Sequence, residues 1–157
     1  MSGANFVGQK FQKVIYFAYG GTGSGESASN PLSMAADNAT VWDIPAGTLI
    51  EKCYLVITEA VTGTTNFDIG DDDDADGFID SSLSVTLGTP GMYGWDAKLA
   101  GAYLRVQTAG ATDAADIYVV PAAKFYPAAG KEIKMDLTTA ATAGALYVVV
   151  EGQYLGR

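Results

Sequence analysis

Seven of the chain's eighteen acidic residues fall in the stretch DIGDDDDADGFID: Asp68, Asp71, Asp72, Asp73, Asp74, Asp76 and Asp80. Oxygen-rich side chains at alternate positions are what a hard cation such as calcium requires. With Asp72 as position 1 of an EF-hand-type loop, Asp74 stands at 3, Asp76 at 5, Gly77 at the turn position 6, Ile79 at the apolar position 8 and Asp80 at 9. Position 12, which supplies the bidentate carboxylate, is Leu83, and no flanking helices are predicted. Calcium would then rest on Asp72, Asp74, Asp76 and Asp80 with a backbone carbonyl and water, a weak site by ligand count. Against this stands a plainer expectation: a solvated acidic hairpin loop whose like charges repel and keep it extended.

Other chemistry finds little support. Histidine is absent, which removes the commonest general base and transition-metal ligand and excludes Ser-His and Cys-His nucleophilic catalysis. GGTGSG at 20–25 has the glycines of a phosphate cradle but neither the Lys-Ser/Thr pair nor the helix that completes one, so it reads as a flexible connection. Asp43 with Glu51, or Asp68 with Asp80, offer the residue types of a glycosidase pair, but nothing in the sequence brings them together. No catalytic residue is assigned, and the expectation is a protein that is not an enzyme. The lone Cys53 sits in an apolar strand pattern and reads as a small buried hydrophobe.

These residues must be held by a chain of 157 amino acids, enough for one domain with a sizeable core and no disulfide. The net charge of −9 argues against partners recognised through phosphate, whether nucleic acid or an anionic membrane surface. A mean hydropathy of +0.14 is high for a soluble monomer, which makes burial against other copies plausible. The first residues lack the basic and apolar regions of a signal peptide, and the apolar run 14–19 is too short to span a bilayer, so synthesis in the cytoplasm is expected.

The elements that position the candidates are strands. LIEKCYLVITEAV (49–61) is rich in β-branched and aromatic residues. SSLSVTL (81–87), YLRVQ (103–107) and EIKMDLT (132–138) alternate apolar with polar, the period of a half-buried strand. Further strands are predicted at 13–19, 40–44, 66–70, 117–120 and 145–155. Gly and Pro turns separate them at IPAGT, VTGTTN, TPGMYG, TAGATDA, YPAAGK and TAATAGAL. No apolar stripe of period 3.6 runs for twelve residues. The expected fold is all-β, a jelly-roll-like antiparallel β-sandwich of about eight or nine strands, with residues 13–157 as one domain and 1–12 as an N-terminal arm.

Two strands are apolar on both faces. In VIYFAY the parity of Ile15, Phe17 and Tyr19 and that of Val14, Tyr16 and Ala18 are both apolar or aromatic, and LYVVV repeats this at Leu146, Val148 and Val150 against Tyr147 and Val149. A sandwich core covers one parity only. The other, represented by Val14, Tyr16, Tyr147 and Val149, is the expected self-association surface. The segment 20–40 shows no periodicity and reads as a mobile loop or one ordered by a partner.

The run VWDIPAGTLIEKCYLVITEAVTGTTNFDIGDDDDADGFIDS (41–81) resembles a segment of tailed-bacteriophage virion proteins, in which an IPAGT turn enters a long strand closed by TEAV and followed by an Asp-rich DGF loop. The end of the chain, TTAATAGALYVVVEGQYL, is similar to the last strand pair of such proteins. The resemblance implies a structural component of jelly-roll type, a head decoration or cement protein contacting the major capsid protein or another virion protein. It also implies a homotrimer located in the virion and an acidic segment that serves as a loop. Two alternatives remain: a tail- or fibre-associated adaptor, and a calcium-assisted carbohydrate-binding sandwich using Trp42, Trp95 and Tyr93. No cofactor is assigned beyond the calcium candidate, and neither nucleic acid nor membrane is an expected partner.

Overall fold

A computed structural model describes residues 8–35, 39–81, 87–94, 102–107 and 119–156. Residues 82–86 of the predicted strand 81–87 and 117–118 of that at 117–120 lie outside the described residues, as does Trp95.

The architecture is an antiparallel β-sandwich, as the sequence predicts. β1 (Gln9–Ala18), β2 (Leu32–Ser33), β3 (Ala39–Ile44), β4 (Thr48–Thr62), β5 (Asp68–Gly70) and β6 (Gly91–Tyr93) precede a 3-10 turn at Ala102–Leu104. β7 (Arg105–Gln107), β8 (Val119–Pro121), β9 (Lys124–Tyr126), β10 (Lys131–Asp136) and β11 (Ala143–Tyr154) follow. One sheet runs β2-β1-β11-β4-β6, with β9 also on β4; the second runs β3-β10-β5; β7 and β8 form a ribbon. The first and last long strands are neighbours, and the chain passes between these two sheets from β2 to β3, β3 to β4, β4 to β5, β5 to β6, β9 to β10 and β10 to β11. This is the jelly-roll pattern.

The core lies between the sheets. Ile15 and Phe17 of β1, Leu146, Val148 and Val150 of β11, and Cys53, Leu55 and Ile57 of β4 face Ile69, Ile133 and Met135 of the second sheet, all buried. Phe17 meets Phe67 edge to face at 5.3 Å between ring centroids. Cys53 is buried as expected, and burial pushes its thiol pKa well up.

β4 is fifteen residues long, yet its inward parity changes once, from Thr48 and Ile50 to Cys53, Leu55, Ile57 and Val61. The β11 register explains this: Glu151 pairs with Lys52 while Gly152 pairs with Ile50, and Leu146 pairs with Ile57 while Ala145 pairs with Glu59. Glu51 and Thr58 are therefore the extra residues of two bulges, and a third register shift between Ala143 and Ala145 restores the parity at Val61, so apolar side chains stay inward along the strand.

Three expectations change. β1 begins at Gln9, inside the segment read as an arm, and pairs with β11 from its first residue. The turn signal TPGMYG contains β6, paired with β4 through Leu55, Val56 and Ile57. The glycine-rich loop after β1 is ordered by its own backbone, with Gly21 N–H on Ala18 O, Gly23 N–H on Pro31 O and Gly25 N–H on Asn30 O at 2.8–3.0 Å. Glycine lets this loop fold flat: a Cβ at Gly23 would collide with Asn30 backbone atoms.

Candidate functional site: an anchored acidic hairpin and a two-sided sheet

The acidic stretch is a hairpin, closed where Ile69 and Ile79 exchange backbone hydrogen bonds at 2.9 and 3.0 Å. Beyond that closure it departs from a solvated, extended loop. It turns inward on Asp71, which is 3% exposed. Asp71 Oδ1 accepts from the Tyr103 hydroxyl at 2.7 Å and from the amides of Asp73 and Asp74 at 2.9 and 3.2 Å. Oδ2 accepts from the Tyr126 hydroxyl at 2.6 Å. Burial alone would raise the Asp71 pKa, but the bonds from Tyr126, Tyr103 and the two amides outweigh it and leave the carboxyl below its ordinary value. Burial, then the bond to Asp71, pushes both tyrosines well up, so both hydroxyls keep their protons to donate.

Close packing makes this geometry possible. A Cβ at Gly70 would overlap the Asp74 carbonyl, and one at Gly77 would strike the Tyr103 ring. Tyr103 packs edge to face on Phe78 at 5.2 Å, and the Lys124 ammonium lies over the Tyr103 ring, 3.8 Å from its centroid.

The remaining carboxylates are mostly engaged. Asp72 forms an ion pair with Lys134, and Asp73 pairs with Lys131 at 2.7 Å, both lysines on β10. Asp68 Oδ1 accepts from the Ser81 amide at 2.8 Å and hydroxyl at 2.6 Å. Asp76 hydrogen-bonds to Asp74, and this bond, with partial burial and the charges of Asp74, Asp80 and Asp68, raises its pKa to about 6. Of the four calcium candidates, the structure brings Asp74 and Asp76 together and turns Asp72 to a lysine. Among the described residues no group of three or more His, Cys, Asp or Glu side chains is placed to hold a metal ion. The hairpin in this form is a fastening that ties β5, β9, β10 and the 3-10 turn together.

The second candidate is the outward face of the larger sheet. Val14, Val149 and Tyr54 are consecutive cross-strand neighbours, and Tyr16, Tyr147, Val56 and Met92 form the next row. The register therefore brings all four residues of the expected self-association surface into one band. The Tyr16 and Tyr147 rings meet in a tilted contact, 5.4 Å between centroids. Val149 is only 4% exposed, buried within its own chain, so the accessible band consists of Val14, Tyr16, Tyr147, Val56 and Met92, the last 53% exposed. A hollow of about 210 Å³ opens beside it between Tyr16, Tyr147, Thr58, Ala28 and Pro31. The sequence pointed to β1 and β11 but missed Val56 and Met92, which join through pairings invisible along the chain.

Of the aromatics considered for carbohydrate contact, the two among the described residues, Trp42 and Tyr93, are occupied otherwise. Trp42 packs on Phe11 at 5.5 Å, and Tyr93 donates its hydroxyl to Thr89 O at 2.9 Å.

Compared with known proteins, the chain matches no family model and no curated protein sequence. Its fold is similar to that of a chain in a solved structure described as the cyanophage Pam1 capsid asymmetric unit, with a TM-score of 0.52 at 14% identity. The likeness covers 98% of this chain and 90% of the other. At that identity the two share a fold.

Proposed function

We propose that the protein is a structural component of a tailed-bacteriophage virion: a decoration or cement protein that binds the head shell as a closed homotrimer and contacts the major capsid protein. The observation that carries this reading is the likeness in fold, over nearly the whole chain, to a chain from a phage capsid asymmetric unit. The sheet band supports it. A sandwich with an apolar outer face needs a partner there, and closed symmetry covers that face without opening a route to filaments. The threefold number rests on the sequence resemblance. The engaged hairpin supports it as well, since carboxylates tied to tyrosines and lysines hold loops in place rather than perform chemistry. A net charge of −9 lets such a protein gather beside packaged DNA without adhering to it. The reading places the protein in the virion after synthesis in the host cytoplasm, without catalysis or a cofactor.

The test is reconstitution. Purified protein is mixed with phage heads that lack it, and the heads are sedimented. Saturable co-sedimentation with heads supports the reading; binding to isolated tails but not to heads moves the protein to the adaptor role.

A further inference from the structure

We propose that the open edge of β1, at Lys10, Gln12 and Val14, accepts an extended acidic segment of a different protein as an added strand. This concerns the backbone edge of β1, which adjoins the apolar band at Val14, and stands independently of the decoration reading.

The direction of the backbone groups comes first. In an antiparallel ladder, successive residues send their N–H and C=O alternately toward the neighbour and away from it. Tyr16 N–H bonds to Gly25 O at 2.8 Å and Ala18 O accepts from Gly21 N–H at 3.0 Å, so the even residues of β1 point away from β11. The β1–β11 register runs without a shift from Gln9 to Ala18, so Lys10, Gln12 and Val14 point the same way. β2 and the glycine loop cover only the Tyr16–Ala18 end. Among the described residues the backbone groups of Lys10, Gln12 and Val14 on that side have no partner. This leaves about 15 Å of template at the usual rise per residue.

Charge selects the occupant. Lys10 and Lys13 stand on this edge, Lys52 is exposed two strands away, and none of the three is in an ion pair among the described residues. Two carboxylates lie nearby, Glu151, which accepts from Gln12 Nε2 at 2.8 Å and Tyr54 Oη at 3.2 Å, and Glu51, which accepts from Gln153 at 3.1 Å, so the three lysines outnumber them. A cationic edge on a chain of net charge −9 disfavours its own copy, because edge-to-edge pairing would set lysines against lysines. It favours carboxylates. Lys10 lies on the outer face of the sheet and Lys13 on the inner, so an antiparallel guest would place acidic residues three apart, one on each face. Apolar residues would stand opposite Val14, extending the row to Val149, and opposite Phe11, which is fixed by stacking on Tyr154 at 4.6 Å.

The experiment is amide hydrogen exchange by NMR on the full chain. In the free protein Lys10, Gln12 and Val14 should exchange fast while Phe11, Lys13 and Ile15 are protected. A blocked peptide, Thr-Val-Glu-Thr-Val-Glu-Thr, at millimolar concentration should slow exchange of the three edge amides several-fold. The same peptide with Lys for Glu should not, and Lys10→Glu with Lys13→Glu should reverse the preference. Equal effects of both peptides, or none from either, would overturn the proposal. So would protection of the edge amides that grows with protein concentration alone, since that assigns the edge to a second copy.

Discussion

Tyr126→Phe removes one hydroxyl and keeps the ring, so its effect isolates the fastening of the acidic hairpin. Tyr126 is 3% exposed and supplies the one hydrogen bond to Asp71 Oδ2 among the described residues, at 2.6 Å. Without it a buried, ionised oxygen loses its donor, which costs about 1.5–3 kcal/mol for a bond to a charged group. No cavity term adds to this, because the ring still packs against Phe78. With a urea m-value of about 2 kcal/mol/M, the midpoint should fall by about 1 M, and Tm by about 4–8 °C for a chain of this size. The pH dependence carries a sign. The Asp71 pKa is lowered by folding, so its contribution is present above the ordinary value of 3.8 and lost as pH falls through the folded value. The deficit of the variant should therefore be full at pH 7 and shrink below about pH 4. A midpoint shift under about 0.3 M at pH 7, or a deficit unchanged at pH 3, would refute the claim that Asp71 is an ionised hub.

Asp76→Asn should raise Tm at pH 7.5, because Asn still donates to Asp74 without the second charge. The Asp76 pKa is raised to about 6, so its contribution is complete below 3.8 and lost as pH rises through 6, and the gain from Asn should vanish near pH 4. Solvent screening limits that gain to about 1 kcal/mol. Asp72→Asn with Asp74→Asn should leave the fold intact and change stability by at most about 1 kcal/mol, since the pair with Lys134 is at the surface. Millimolar calcium should not raise Tm; a rise in the parent that the double variant lacks would establish the metal site. Tyr147→Glu, in the apolar band, should convert the oligomer to a monomer of 16.3 kDa by light scattering without changing the circular dichroism spectrum. A parent already monomeric at micromolar concentration would contradict self-association.

What the sequence disclosed follows from the range of the forces involved. Ile133, Met135 and Leu137 alternate because their strand has one wet face, and the structure buries all three. The doubled apolar parity of β1 and β11 was legible for the same reason. The bulges at Glu51 and Thr58 were not, because an extra residue exists only relative to a partner strand ninety positions away. β6 was hidden by Gly91 and Pro90, whose turn chemistry dominates a three-residue strand. Among four consecutive aspartates nothing local distinguishes Asp71. Its burial is decided by Tyr103 and Tyr126, 32 and 55 residues downstream, and repulsion within the run gave way to these donors and to the lysines of β10.

An image reconstruction of the intact phage particle tests the central claim most directly. The account predicts density for this sandwich on the outer surface of the head, in threefold clusters at symmetry-related positions, with Tyr16, Tyr147 and Met92 at contacts between copies. Density confined to the tail, or isolated copies on the shell with that band facing solvent, would contradict it.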